Sequence, residues 1–303
     1  MKSNKNVFKG NIYDWTSWAR IFQSVEAWEP LIHYIMKKEK LPVSKIENLE
    51  PGTNAVFRAQ NHVVKIFAPK ESGADCGRDY KTEIFALSSA RSMGVSVPKL
   101  IACGEIEDKY IFNYMIMEYI EGVIFTEASV KFTADDKFSF AKSLREITDL
   151  FNRPCEPFNG IDVIHDQNRY KRWNNFSERF KKERLEYLNS HHFGENVFVH
   201  GDLCADNILL DKKGKINIID FADSVMAPLV YEHAHLAGEL FKFDKSYLHG
   251  YFGEYRTEEF TDLCFNGLLI HDFGGGIIAH NIAAPEEIDS LWDLRDTLYR
   301  LIK

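Results

Sequence analysis

The stretch His200-Gly-Asp-Leu-Cys-Ala-Asp-Asn-Ile-Leu-Leu210, followed by Ile216-Asn-Ile-Ile-Asp-Phe-Ala-Asp223, decides how the rest of the chain is read. Asp202 sits in a loop just after an apolar strand-like run, Val197–Val199. Asn207 follows five residues later and leads into a second run, Ile208–Leu210. A polar turn, Asp211-Lys212-Lys213-Gly214, separates that run from a third, Ile216–Ile219, and Asp220 ends it. A hairpin brings the two ends of its strands together. Two carboxylates and one amide oxygen therefore share one mouth. Hard oxygen ligands of this kind suit Mg²⁺, which keeps several waters and binds nucleotide phosphates as well. A carboxylate left off the metal can orient a hydroxyl nucleophile and accept its proton.

The spacing of His200, Asp202, Asn207 and Asp220 resembles the catalytic loop H-x-D-x-x-x-x-N of kinases, with a metal-binding aspartate downstream. Gly201 stands where protein kinases generally have Arg. The form "HGD…N…IDF" is similar to the aminoglycoside phosphotransferase family of kinase-like small-molecule and antibiotic kinases. The resemblance implies an α+β, two-lobed, protein-kinase-like fold, with a small β-rich N-lobe and a larger, mainly helical C-lobe. It implies a nucleotide, ATP or GTP, held with Mg²⁺ between the lobes. Asp202 would be the base, and Asn207 and Asp220 the metal ligands.

Such a fold needs a strand lysine for the α/β-phosphates and a helical glutamate to hold it. Lys65, in His62-Val-Val-Lys-Ile-Phe67, lies within an apolar strand-like run, and Glu83 lies in the next helix-like segment. Glu71 and Asp79 are weaker candidates for the partner. Met115-Ile-Met-Glu-Tyr-Ile-Glu-Gly122 resembles the linker between lobes, where backbone groups of Glu118 and Ile120 would meet the purine edge and Met117 would be a core residue beside it. The loop Pro51-Gly-Thr-Asn54 carries one glycine and no G-x-G-x-x-G. Gly52, Thr53 and Asn54 are the candidates for cradling phosphate. After Asp220, Ala227 and Leu229 depart from the family's Gly-Asp-Pro pattern, while Pro228 and Tyr231-Glu232 keep part of it.

Length and composition agree with this reading. At 303 residues, two lobes are the expected organisation. The spans are 1–120, a nucleotide-binding lobe with a helical N-terminal extension, and 121–303, a catalytic and substrate-binding lobe. With 45% apolar and 27% charged residues, the chain excludes collagen-like and wholly disordered classes. No apolar run approaches a membrane span. The start, MKSNKNVFKGNIYDW, has no apolar segment of a signal peptide, and the five cysteines form no CxxC. The expectation is a cytoplasmic protein without disulfides or zinc. A net charge of −8 disfavours nucleic acid and anionic membrane as partners.

The periodicity gives the rest. Trp15, Trp18, Phe22 and Val25 recur at helical spacing, and Pro30 suits the first turn of a second helix with Leu31, Ile32, Ile35 and Met36. The turn signal Pro51–Asn54 accompanies two strand-like runs, Ala55–Ala59 and His62–Phe67, read as a β-hairpin region. Asp79–Met93 reads as helix, Val97–Cys103 and Tyr110–Tyr119 as strands, and Thr133–Phe151 and Tyr170–Asn189 as long helices. After Pro228 the chain reads as helical except around Gly274–Gly276. His191-His192 read as a solvated turn rather than zinc ligands, His200 as a brace for backbone near Asp220, and Cys204 as loop filler.

The reaction implied is transfer of the γ-phosphoryl group of ATP or GTP to a hydroxyl of a small molecule, foremost an aminoglycoside. A cationic acceptor would be drawn by Asp206, Asp223, Glu232, Glu239 and Asp272, if the C-terminal helices fold over the catalytic loop. Alternatives are a metabolite kinase of the choline, homoserine or methylthioribose type, a macrolide kinase, and a non-enzymatic nucleotide-binding module. A protein kinase is disfavoured by Gly201 and by the lack of an Ala-Pro-Glu segment.

Overall fold

A computed structural model describes residues 6–49, 52–74 and 76–303, apart from the side chains of Gln167 and Asn168. The chain divides into two compact units. The first runs to Gly122, apart from Met93–Val95, which group with the second, Val123–Lys303.

The first unit is built on a five-stranded antiparallel sheet in the order β1-β2-β3-β5-β4. Its strands are β1 (Ile46–Asn48), β2 (Ala55–Ala59), β3 (His62–Ile66), β4 (Leu100–Glu107) and β5 (Ile111–Glu118). β2 alternates buried and half-buried residues, the period-two pattern of a strand with one face on a core. Gln60, at φ +56°, turns β2 into β3. β5 is buried at Tyr114, Met115, Ile116 and Met117 in succession, as befits an inner strand paired on both sides. The predicted strand Val97–Cys103 is displaced to Leu100–Glu107. Pro98 has no N–H to give a ladder, and pairing starts beyond it.

Helices α1 (Trp15–Ile21) and α2 (Val25–Lys38) precede the sheet, and α3 (Cys76–Ser92) lies between β3 and β4 in sequence. Pro30 does not open α2. Ser24 does, its side chain accepting from the Ala27 N–H, and Pro30 lies inside the helix. Val25 accordingly begins α2 instead of ending α1. Trp28, Leu31, Ile32, Ile35 and Met36 are fully buried, and Trp28 packs against Phe8 and Phe112.

The second unit is mainly helical. It contains α4 (Phe125–Ala128), α5 (Ala134–Phe151), α6 (Glu178–Ser190), α7 (Leu229–His235), α8 (Lys245–Phe252), α9 (Thr257–Ile270), α10 (Gly274–Asn281) and α11 (Leu291–Ile302). Thr133 caps α5 with a reciprocal Asp136 contact, and Ser290 caps α11 in the same way with Asp293. The predicted helix Tyr170–Asn189 is two elements. A 3₁₀ segment, Gln167–Trp173, ends before Ser177 caps α6. Gly274–Gly276 do not interrupt helix; they open α10. A Cβ at Gly274 would lie 1.9 Å from the Leu268 carbonyl oxygen, so the close packing of this turn on α9 requires glycine.

Two small sheets complete the unit. β7 (Asn196–Val199) pairs antiparallel with β10 (Val225–Pro228), which the periodicity did not indicate. β6 (Gly122–Ile124), β8 (Ile208–Asp211) and β9 (Ile216–Ile218) form the other, and β8 and β9 are the expected hairpin. Among the described residues no helix is long and apolar enough to cross a membrane.

Candidate active site

The loop from β7 to β8 carries Asp202 and Asn207, and Asp220 follows β9. Gly201 lies at φ +83°, and a Cβ there would fall 2.1 Å from the Asp223 carbonyl oxygen. Any side chain, arginine above all, would push the loop off the segment after β9. His200 is fully buried and its Nε2 lies 3.0 Å from the Ile219 carbonyl oxygen, next to Asp220, while its ring packs on Phe221.

The Asn207 amide donates to the Asp202 backbone carbonyl at 2.8 Å and to its Oδ2 at 3.2 Å. The Ile219 N–H donates to the Asn207 carbonyl at 3.0 Å. The hairpin ends thus bring Asp220 to the same mouth as Asp202 and Asn207. Asp220 itself has φ +58°, an uncommon backbone for a non-glycine residue, of the kind that collects at functional sites. Burial, then the charges of Asp223 and Asp220, push the Asp202 carboxyl up to about 8. Crowded carboxylates raise one another in this way when no cation lies among them.

That crowding fits a divalent cation. With its NH₂ group committed to Asp202, Asn207 has its amide oxygen left as the hard donor, and Asp220 supplies the charge. Among the described residues, no three His, Cys, Asp or Glu side chains are arranged to hold a metal by themselves. This donor set suits Mg²⁺ arriving with phosphate oxygens and water, not an all-protein cage.

This loop has an anchor whose role the sequence reading missed. Glu232, on α7, is fully buried, and its two carboxylate oxygens accept the N–H groups of His200 and Gly201, each at 3.1 Å. Burial pushes its carboxyl up to about 7, against the opposing pull of those N–H groups. The retained Tyr231-Glu232 pair was the signal available. One turn further along α7, His235 brings its Nε2 within 3.5 Å of Asp202 Oδ1. Residues three apart share a helix face, so both reach the same loop.

The acids proposed to attract a cation are thereby reduced. Glu232 is corrected from acceptor contact to buried anchor. Asp272 is not an uncompensated charge, because Arg169 and Arg172 bind it at 3.0 and 3.1 Å. Glu239 Oε2 accepts from the Asn281 amide at 2.9 Å. Asp206, exposed, accepts from the Thr126 hydroxyl at 2.6 Å, and Asp223 is exposed beside the loop.

In the first unit, Lys65 and Glu83 form a buried pair, Nζ to Oε2 at 2.8 Å, with side chains 4% and 2% exposed. β3 places Lys65 opposite Val56 on one side and Met115 on the other. Gly52 and Thr53 are exposed; Asn54 is buried, and its Oδ1 has no hydrogen-bond partner. The Thr53 carbonyl accepts from the Trp18 indole N–H. Pro51, read with this turn, lies outside the described residues. Glu118 ends β5, its N–H donating to the Lys99 carbonyl; Ile120 follows, half-buried, and Met117 is buried.

A model of the phosphotransferase enzyme family matches residues 53–264. A search of curated proteins finds no match in sequence. Among solved structures, the chain resembles an aminoglycoside 2″-phosphotransferase in complex with GDP and kanamycin, at 15% identity and a TM-score of 0.55, over 80% of this chain and 89% of that one. It also resembles a choline/ethanolamine kinase family protein from Mesorhizobium loti, at 20% identity and a TM-score of 0.54, over 85% and 86%. An amicoumacin kinase in complex with AMP-PNP, Ca²⁺ and Ami gives 14% identity and a TM-score of 0.52, over 88% and 92%. At these identities the likeness shows the fold, which is the kinase-like α+β arrangement.

Proposed function

Because the chain belongs to the phosphotransferase enzyme family, we propose that it moves the γ-phosphoryl group of ATP or GTP to a hydroxyl of a small molecule. The observation that carries this is the meeting of Asp202, Asn207 and Asp220 at one mouth, on a loop anchored by Glu232. Asp202 orients the acceptor hydroxyl and takes its proton. Asn207 and Asp220 hold Mg²⁺, which when bound offsets the charge of the phosphates. Lys65, held by Glu83, meets the α/β-phosphates. Gly52, Thr53 and Asn54 face the phosphates, and backbone groups of Glu118 and Ile120 the base.

For the acceptor we propose an aminoglycoside, a polycationic sugar rich in hydroxyls, supported by the kanamycin and hygromycin B held by neighbours of the same fold. Asp206 and Asp223 are the acids beside the loop that would draw it. A second reading, a metabolite alcohol without net positive charge, of the homoserine or methylthioribose type, is favoured by the pairing of Asp272 with two arginines and the burial of Glu232.

The test is phosphoryl transfer from MgATP and MgGTP to a panel of aminoglycosides, macrolides and metabolite alcohols, with Asp202→Ala beside the natural chain. Turnover should fall by about 10²- to 10⁴-fold in the variant with nucleotide affinity kept. Near-normal turnover in Asp202→Ala refutes the assignment. A KM that rises with ionic strength for the cationic acceptors supports the aminoglycoside reading, and turnover with neutral alcohols alone supports the second.

A further inference from the structure

We propose that His235 is a positioning residue for Asp202, a neutral imidazole whose Nε2–H holds Oδ1 while the Asn207 amide holds Oδ2. The inference rests on the reading of Asp202 as the base.

The geometry is specific to one ring nitrogen. His235 is 1% exposed, with Nε2 3.5 Å from Asp202 Oδ1, and its Nδ1 is buried without a hydrogen-bond partner. A proton on Nδ1 would bury an unpaired N–H and, once Asp202 is ionised as a base must be, set the Nε2 lone pair against a carboxylate oxygen. A proton on Nε2 avoids both costs, so that tautomer prevails. Burial and the neighbouring His200 hold the ring far below ordinary histidine, which keeps it uncharged. A neutral donor orients the carboxylate without tying it up in an ion pair.

The ring is itself fixed. His271, 1% exposed, stacks on it with centroids 4.7 Å apart and planes 19° from parallel. His271 Nδ1 accepts the Phe273 N–H at 3.0 Å, and Tyr231 packs against its ring. The backbone also departs from regular helix here. Directly after His235 the chain makes a π turn, Leu236–Leu240, in which the Phe241 N–H donates to the Leu236 carbonyl at 2.9 Å. Such turns collect at functional sites, and this one also carries Glu239, whose charge acts on Asp202. The Asn207 hydrogen bond to Oδ2 and the His235 contact at Oδ1, one per oxygen, would set the plane of the carboxylate toward the acceptor hydroxyl.

Two variants and one spectrum test this. With the panel acceptor that turns over, His235→Leu should lower kcat by about 10- to 10²-fold, the loss expected of a misplaced base, with the KM for MgATP or MgGTP within about twofold. His235→Gln, which returns an N–H at similar reach, should recover most of the loss. A folded His235→Leu with kcat unchanged, or a Gln variant no better than Leu, overturns the proposal. Should the Leu variant fail to fold, ¹⁵N-histidine NMR of the natural chain decides. At pH 9, above the value of about 8 to which the Asp202 carboxyl is pushed, an Nε2–H tautomer for His235, its resonances shifting in Asp202→Asn, is the expected result; an Nδ1–H tautomer or an imidazolium overturns the proposal. Natural-chain activity lost in Asp202→Ala but unaffected in His235→Leu strikes this inference alone. An Asp202→Ala variant that still turns over strikes the reading beneath it.

Discussion

Replacing Glu232 by glutamine leaves the shape of the anchor and removes its titration. In the folded chain the carboxyl is pushed up to about 7, against 4.5 for an ordinary glutamate, because burial outweighs the two loop N–H groups and the Asn152 amide that favour its charge. Between those values the folded state holds a proton that the unfolded state has lost. Stability therefore falls as pH rises through this window and levels off above about 7. A window of about 2.5 pH at about 1.4 kcal/mol per pH amounts to about 3 kcal/mol. Glutamine resembles the protonated acid, with one acceptor and one donor, so near pH 5 the two proteins should differ little. By pH 8 the variant should have gained about 3 kcal/mol relative to the natural chain. Turnover should run the other way. At pH 8 the natural carboxylate accepts both loop N–H groups, whereas the amide turns its NH₂ against one of them, so kcat should fall in the variant and the gap should narrow toward pH 6. Urea unfolding at pH 5, 6, 7 and 8, with the m-value followed to check that the unfolding unit is unchanged, reads the difference directly. Other groups titrate equally in both chains and cancel. A difference that stays flat with pH, or grows against the variant as pH rises, would refute the reasoning, because it means the buried carboxylate is ionised throughout.

Asp220→Ala removes the charged donor of the metal pair, and it should weaken Mg²⁺-nucleotide affinity and turnover together; wild-type affinity in an Mg²⁺ titration would remove Asp220 as a ligand. Glu83→Ala leaves Lys65 without its 2.8 Å partner and should destabilise by about 3–5 kcal/mol. Its loss of activity should be smaller than that of Lys65→Ala and vanish in the double variant, and additive losses in the cycle would deny the coupling. Gly201→Ala combines about 1–2 kcal/mol for a left-handed alanine with the overlap on the Asp223 carbonyl, which adds about 1–3 kcal/mol if the loop yields. Calorimetry should show the loss, and a variant as stable and active as the natural chain would mean the loop is not held there.

The candidate loop was legible because its residues are nearly consecutive. Asp202, Asn207 and Asp220 are joined by one hairpin, and strand ends meet by geometry alone. Lys65 and Glu83 were legible from their order, a strand lysine before a helical glutamate, and the structure joins them. Features set by tertiary packing were not. β10 exists because it pairs with β7, and β6 because it pairs with β8. Their residues show too short a pattern to betray them. Pro30 was read by its usual place in a first turn, but Ser24 opens α2 earlier and the packing of Trp28 and Leu31 carries the helix past the proline. Gly274–Gly276 were read by propensity, and the backbone approach of α9 reverses that reading.

The acceptor side obeys the same division. A sequence counts carboxylates but does not say which are already satisfied. Asp272 lies beside His271 in the chain, yet Arg169 and Arg172 neutralise it from about a hundred residues upstream. Glu232 is drawn inward because the N–H groups of His200 and Gly201 need an acceptor where water does not reach. His235 follows from the same demand. Once α7 presents Glu232 to the loop, the residue one turn later faces Asp202, and only a side chain able to donate a hydrogen bond suits a recessed carboxylate there. The face of α7 turned to the loop thus answers the loop's own donors and acceptors, with Glu232 buried against the His200 and Gly201 N–H groups and His235 against Asp202, and neither side chain stands on a surface open to an acceptor.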